Sequence, residues 1–318
     1  MTKSIGKIMK LTNIEGTRHW KGFFLSLITA FLWGILPVFL TLCLEVMDAV
    51  TITLYRFFVA GIFVFLLLLK SKSLPRLPAL GRNKGIWLLV ASLFLVVNFV
   101  ANVKGLEYLN PETAQIVMQT APFMLMLGGV VFFKERLSLL EIGGAVMLLS
   151  GLILFFNDKL ENLFLSLSQF TTGVLIILFA ATTWAAYALM QKPLLRVLTA
   201  KQLTLLIYII GVCVLLPFST VSLLMDMQLI HVLALLFCCL NTIVAYGAFT
   251  EALNIWQAAK VSAVLAMSPI FTFLSMLIAV QWLPQHFTAS YLDHWAYIGA
   301  AVVITGSALT AVGRAKVV

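Results

Sequence analysis

Residues 22–42 read GFFLSLITAFLWGILPVFLTL, an uninterrupted run with no ionisable side chain. Wound as an α-helix at about 1.5 Å per residue, the run is as long as the roughly 30 Å hydrocarbon core of a bilayer is thick. Five basic residues, Lys3, Lys7, Lys10, Arg18 and Lys21, precede it. Basic residues before an apolar run also describe a secretory leader. No small-residue cleavage pattern follows, however, and further apolar runs do, so the segment is read as a retained membrane helix.

Working outward, comparable runs recur at 49–69, 86–104, 111–133, 139–156, 172–191, 202–223, 230–250, 256–280 and 295–313. They predict an all-α integral membrane protein with ten transmembrane helices. Of 318 residues, 62% are hydrophobic and 10% charged, and mean hydropathy is +1.07, far from the averages of soluble domains. Cys43, Cys213, Cys238 and Cys239 lie inside apolar runs with neither disulfide nor CxxC spacing, and are expected to be buried small hydrophobes. Several connections carry helix-start chemistry. Asn110-Pro111-Glu112 sets a cap, a first-turn proline and an acid before the fourth run. Ser138 with Glu141, and Thr199 with Gln202, fit the capping box.

A net charge of +9, from 21 basic and 12 acidic residues, in a soluble chain points to nucleic acid or an anionic surface. Placed on the spans, it sorts by side. With the N-terminus in the cytoplasm, one face holds the five N-terminal residues, Lys70, Lys72, Arg76, Arg82, Lys84, Lys134, Arg136, Lys192, Arg196, Lys201, Lys260, Arg314 and Lys316, eighteen in all. The other keeps Lys104 and Lys159, with Glu45, Asp48, Glu107, Glu112, Asp158, Glu161, Asp226 and Asp293 there or at the helix ends. The charge excess therefore reports orientation, with both termini cytoplasmic, and the partner is a lipid bilayer rather than nucleic acid. A homodimer is compatible with this sequence, but nothing in it specifies one.

Ten spans divide into five and five, and an odd number per half inverts the second half relative to the first, so duplication is worth seeking. Trp33 and Trp184 stand 151 positions apart at similar depths of spans one and six. A shift of 147 superposes Gly105-Leu106 on Ala252-Leu253, and Pro122 on Pro269. With eight extra residues allowed around 282–294, Gly144 and Gly151 match Gly299 and Gly306. The expected organisation is a tail at 1–21, two inverted five-helix repeats at 22–156 and 172–313, and a tail at 314–318.

Phe31-Leu32-Trp33-Gly34-Ile35-Leu36-Pro37-Val38-Phe39, Tyr55-Arg56-Phe57 with Ala60, Gly105-Leu106-Glu107-Tyr108 leading to Ala121-Pro122, and Lys134-Glu135-Arg136-Leu137 leading to Gly144 and Gly151 carry a resemblance. Together they are similar to the pattern of EamA-type transporters of the drug/metabolite transporter superfamily, over nearly the whole chain. The resemblance implies a ten-helix inner-membrane carrier of small metabolites, commonly an exporter of amino acids or related compounds. The second half departs from the pattern: where Glu135 would recur stands Trp282.

Polar groups in hydrocarbon are costly unless they face protein or a wet cavity, so they point toward a pathway. Glu112, Gln115, Gln119 and Pro122 share one face of span four, and Asn98 and Asn102 one face of span three. Span one sets Thr29, Trp33, Pro37 and Thr41 four apart, and span six aligns Trp184, Tyr187 and Gln191. Asn241 and Tyr246 in span eight are five apart and need not share a face. One reading is a cavity between the halves lined by these stripes. The other is helix packing, where such groups bond across helices for about 1 kcal/mol or less.

Arg56 is the formal charge deepest in a span, about 10 Å from its predicted end, where insertion costs roughly 2.5–3.5 kcal/mol. It reads either as an anchor for a substrate carboxylate or as a structural residue that snorkels or pairs with Glu45 or Asp48. The resemblance implies an arginine here across carriers of varied substrates, which favours the structural role. Pro37, Pro122 and Pro269 each withhold a backbone donor inside a span and are expected to kink helices, with a gating role assigned to the last two.

The rival classes are a non-transporting receptor or structural membrane protein and an intramembrane enzyme. All four histidines, His19, His231, His286 and His294, fall outside spans or at their ends. No HExxH, GxSxG or paired-acid pattern occurs, so no catalytic residue, metal site or cofactor is expected. Glu107, Glu112 and Glu251 lie near helix ends, so no proton relay is evident and the coupling ion stays open. A small-molecule substrate is implied, of unspecified identity and direction of movement.

Overall fold

In hydrocarbon a segment must satisfy its own backbone, so each apolar run folds as helix. The computed structural model describes residues 2–75, 81–134, 136–159, 168–256, 258–290 and 292–313. Arg76, Glu135, Glu161, Arg314 and Lys316 lie outside the described residues, as do the side chains of Lys3, Lys7, Lys10, Arg18, Lys192 and Asp226. The chain runs through α1 (Thr2–Leu44), α2 (Ala49–Lys70), α3 (Gly81–Gly105), α4 (Pro111–Met118), α5 (Ala121–Phe133), α6 (Leu139–Phe155), α7 (Gln169–Leu194), α8 (Ala200–Leu215), α9 (Leu229–Ile255), α10 (Ala258–Leu265), α11 (Ser268–Trp282) and α12 (His294–Gly313), with no β-strand among the described residues. Nine segments among these residues are long and apolar enough to cross a membrane, and α6 is a shorter tenth. At 17 residues α6 is about 25 Å long, less than the expected full crossing.

The start signals hold. Asn110 caps α4 by accepting from Thr113 N, with Pro111 in its first turn. Ser138–Glu141 and Thr199–Gln202 form complete capping boxes on α6 and α8. One boundary needs correction and two spans are interrupted, and proline explains each. The seventh span does not continue to 223: α8 ends at Leu215 and short 3₁₀ turns follow, because Pro217 has no N–H to give and restricts the residue before it. At their prolines spans four and nine are interrupted, into α4 and α5 and into α10 and α11, while each remains one apolar segment of crossing length. Pro122 and Pro269 sit in the first turn of α5 and α11, where the missing N–H is one the helix leaves unpaired anyway. Pro37, in contrast, lies inside a continuous α1. Cys43, Cys238 and Cys239 are buried as expected, but Cys213 is exposed on α8.

Large apolar side chains cover the outside, among them Leu66, Ile153 and Leu277, each more than half exposed. Such a surface suits lipid and not water. Since lipid is as apolar as leucine, helices must be held by close fit rather than by escape from solvent. The tightest fit is between α6 and α12. A Cβ added to Gly144 would lie 2.6 Å from Thr310 N and 2.8 Å from Gly306 O, and one on Gly151 would lie 2.7 Å from Val303 N and 3.0 Å from Gly299 O. Gly299 and Gly306 are blocked in turn by the backbone of Phe155 and Leu148. The four glycines that aligned the halves in sequence thus face one another. Elsewhere α1 packs on α9, α3 on α7, α2 on α8, α1 on α11 and α5 on α7.

Candidate functional site

The two helix breaks meet. Gln119, at the end of α4, donates from Nε2 to Ala266 O at 2.8 Å, the carbonyl that follows α10, and its Oε1 accepts from Ser307 Oγ of α12 at 3.1 Å. Breaking two helices frees backbone groups that hydrocarbon cannot satisfy, and here one side chain takes up a freed carbonyl. Beside this junction lies a cavity of about 200 Å³, walled by helices of both halves.

Trp33, Arg56, Asn98, Asn102, Gln115, Gln119, Trp184 and Tyr246 line it, with Pro37 and Pro122. Their burial there is mixed with bonding: Asn98 Nδ2 donates to Ala180 O at 2.8 Å and so also ties α3 to α7. Trp33 and Tyr246 meet edge to face at 5.3 Å, and Tyr246 stacks on Phe99 at 6.0 Å. Tyr187 and Asn241 are not on the wall. Tyr187 is buried in an apolar cluster with Leu54, Phe57, Leu206 and Tyr208, and Asn241 Nδ2 donates to Leu32 O at 2.6 Å, tying α9 to α1. Pro269 is buried at the start of α11 without reaching the cavity.

The four-apart stripe of α1 splits. Trp33 and Pro37 reach the cavity, whereas Thr29 Oγ1 bonds Leu25 O at 2.9 Å and Thr41 Oγ1 bonds Pro37 O at 3.0 Å. Steps of four overshoot a 3.6-residue turn by about 40° each, so four residues cannot all face one way. Hydroxyls satisfied by the carbonyl four residues back need no cavity. The wall also holds Phe99, Phe249, Ser262 and Leu265, which no polar pattern in the sequence singled out.

Arg56 is 4% exposed, which excludes snorkelling. Its Nε donates to Thr242 Oγ1 at 3.0 Å, and its guanidinium carbon lies 4.7 Å from the centre of the Phe99 ring. Neither expected carboxylate reaches it. Glu45 is bonded to His231 at 3.1 Å and to His286 at 2.8 Å. Asp48 caps α2, accepting from Val50 N, Thr51 N and Thr51 Oγ1. Among the described residues no carboxylate pairs with Arg56. A buried cation without a counter-charge is costly, and its remaining donors form a planar fork suited to two oxygens of one anion.

The EamA-like transporter family model matches the chain twice, at residues 20–157 and 171–312. The uncharacterized inner membrane transporter YhbE of Escherichia coli K12 is 38% identical over 295 residues, covering 92% of each chain. A Haemophilus influenzae protein named as a transporter is 38% identical over 293 residues, 92% of this chain and 95% of the other. A probable amino-acid metabolite efflux pump of Escherichia coli K12 is 23% identical over 295 residues, 89% and 92% of the two chains. A crystal structure of a protein 18% identical superposes with a TM-score of 0.59, covering 96% of this chain and 100% of the other, and shows a shared fold.

Proposed function

The chain belongs to the EamA-like transporter family, and on that premise we propose that it exports a small metabolite bearing a carboxylate, an amino acid or related compound, by alternating access. It is a multi-pass inner-membrane transporter, as its relatives are named and its apolar helices require. The observation that carries the finer reading is the buried Arg56 guanidinium, unpaired with any described carboxylate on the wall of a cavity between the halves. A carboxylate entering there would accept the fork's free donors and neutralise the charge, while Trp33, Trp184 and Tyr246 would enclose its apolar part. The cavity of about 200 Å³ is below the roughly 300–1,000 Å³ of drug-sized sites, which favours a small metabolite. The efflux function in the name of one Escherichia coli relative supports export of this class.

Alternating access rests on the inverted repeat. Packing partners exchange when the halves are exchanged: α1 on α9 answers α7 on α3, and α1 on α11 answers α7 on α5. Gln119 touches Ala266, and Phe99 touches Tyr246, each pair 147 positions apart, the offset that aligns the halves. Residues related by a two-fold axis meet only where that axis passes between them. Broken helices at the repeat interface are where such carriers bind substrate, and rocking of one half on the other exposes the site to each side in turn. The distribution of basic residues supports cytoplasmic termini.

The test begins by comparing metabolites in the medium of overexpressing and deleted cells. The purified protein in liposomes should then give saturable flux of the compound found. Absence of flux would favour the receptor or structural reading. Unchanged substrate affinity in a folded Arg56→Lys variant would remove the carboxylate anchor while leaving the carrier intact.

A further inference from the structure

Away from the cavity, at the end of the bundle where α1 finishes and α9 begins, three side chains with metal-binding atoms converge. Glu45 lies in the turn after α1, His231 in the first turn of α9, and His286 in the connection after α11. Glu45 Oε2 is 3.1 Å from His231 Nε2 and 2.8 Å from His286 Nδ1, and one ligand atom from each residue falls within 4.8 Å of the others. The imidazole rings stand nearly perpendicular, with centroids 6.1 Å apart.

We propose that Glu45, His231 and His286 form a divalent transition-metal site of the Zn²⁺ or Co²⁺ class that bridges the two halves of the chain. Metal–nitrogen and metal–oxygen bonds of about 2.0–2.1 Å at tetrahedral angles space neighbouring ligand atoms about 3.3 Å apart. Two edges of the triangle are already near that length, and only the edge between the histidines needs to close. Two imidazoles and one carboxylate select borderline ions such as Zn²⁺, Co²⁺ and Ni²⁺ over Mg²⁺ and Ca²⁺, which take all-oxygen sets. Three protein ligands leave the fourth position to water. The Glu45 side chain is 32% exposed, which gives the ion a way in. One feature limits affinity: His231 Nδ1 is buried with no partner. Loss of such a buttress lowers metal affinity about 10- to 100-fold. The ligands are separated by 186 and 241 positions from Glu45, so no metal motif can show in the sequence. A bound ion would pin α1 of the first half to α9 and to the connection between α11 and α12 of the second.

The test uses the purified full-length protein, free of any affinity tag and stripped with chelator, titrated with Co²⁺ and with Zn²⁺. One ion should bind per chain, with Co²⁺ giving the visible absorption of a tetrahedral centre. His286→Ala and Glu45→Gln, which each remove a direct ligand, should weaken binding by more than the roughly 10- to 100-fold that loss of an outer-shell partner costs, and His294→Ala should leave it unchanged. Absence of stoichiometric binding, or binding unaffected by both ligand variants, would overturn the proposal. Should His286→Ala fail to elute as a single species, the nearly isosteric Glu45→Gln carries the test by itself.

Discussion

Two regions where the halves meet, the seam between α6 and α12 and the cavity beside the helix breaks, use the same duplication in opposite ways. At the seam the halves are alike: Gly144 and Gly151 face Gly306 and Gly299, and each is blocked by the other's backbone. At the cavity they differ. Gln119 meets Ala266 and Phe99 meets Tyr246. Aligned from the caps Asp48 and Thr199, Arg56 corresponds to Ile207. Close packing in lipid needs small residues on both sides, so the seam keeps them. Recognition of an asymmetric small molecule needs unlike groups, and there one half carries the charge and the other does not.

That contrast breaks most readily at the seam. Gly306→Leu would drive a side chain into the backbone of Leu148, which has no rotamer by which to move aside. We expect a loss of about 3 kcal/mol or more, seen as loss of the monodisperse peak in size-exclusion chromatography. Gly143→Leu, one position from Gly144 but with open space around its added Cβ, should behave as wild type. Equal behaviour of the two variants would dissolve the distinction between seam and lipid face.

At the cavity, Arg56→Met should fold with equal or greater thermal stability, since a buried unpaired charge is removed. It should lose transport about 100-fold in kcat/KM, or about 2.7 kcal/mol of transition-state binding. Arg56→Lys should fall between, keeping the charge without the fork. A more modest effect belongs to Gln119→Leu, which leaves the Ala266 carbonyl without its donor and should cost about 1–3 kcal/mol, read as a lower melting temperature. The smallest is Pro122→Ala with Pro269→Ala. Because both prolines start helices, stability should change by less than about 1 kcal/mol and flux in liposomes should hold. A large loss of flux in that double variant would instead give the prolines a part in the movement.

How far the sequence reaches varies with the range of the interaction. Caps at Asn110, Ser138 and Thr199 were legible because their partners lie three residues on. Pro122 and Pro269 were visible as disturbances, but whether a proline bends a helix or begins a new one turns on what satisfies the freed backbone. For span nine that is the Ala266 carbonyl, which takes its donor from Gln119, 147 positions away. Of the positions picked out by spacing, Trp33, Asn98, Asn102, Gln115, Gln119, Trp184 and Tyr246 line the cavity, whereas Thr29, Thr41, Glu112 and Gln191 do not. Tyr187 and Asn241 went instead to packing partners that spacing cannot name.

By itself, then, the sequence determined the solvent, the all-helical character and approximate limits of most apolar segments, the bias of basic charge and the likeness of its two halves. These are properties of single segments or of their order, read against the thickness and polarity of a bilayer. Tertiary structure alone decided what takes up the carbonyl freed in span nine, that the four glycines face one another, that Arg56 has no described carboxylate partner, and that Glu45, His231 and His286 converge. A helix's own spacing gives the direction in which a residue points, and only the packing of distant segments supplies what it points at.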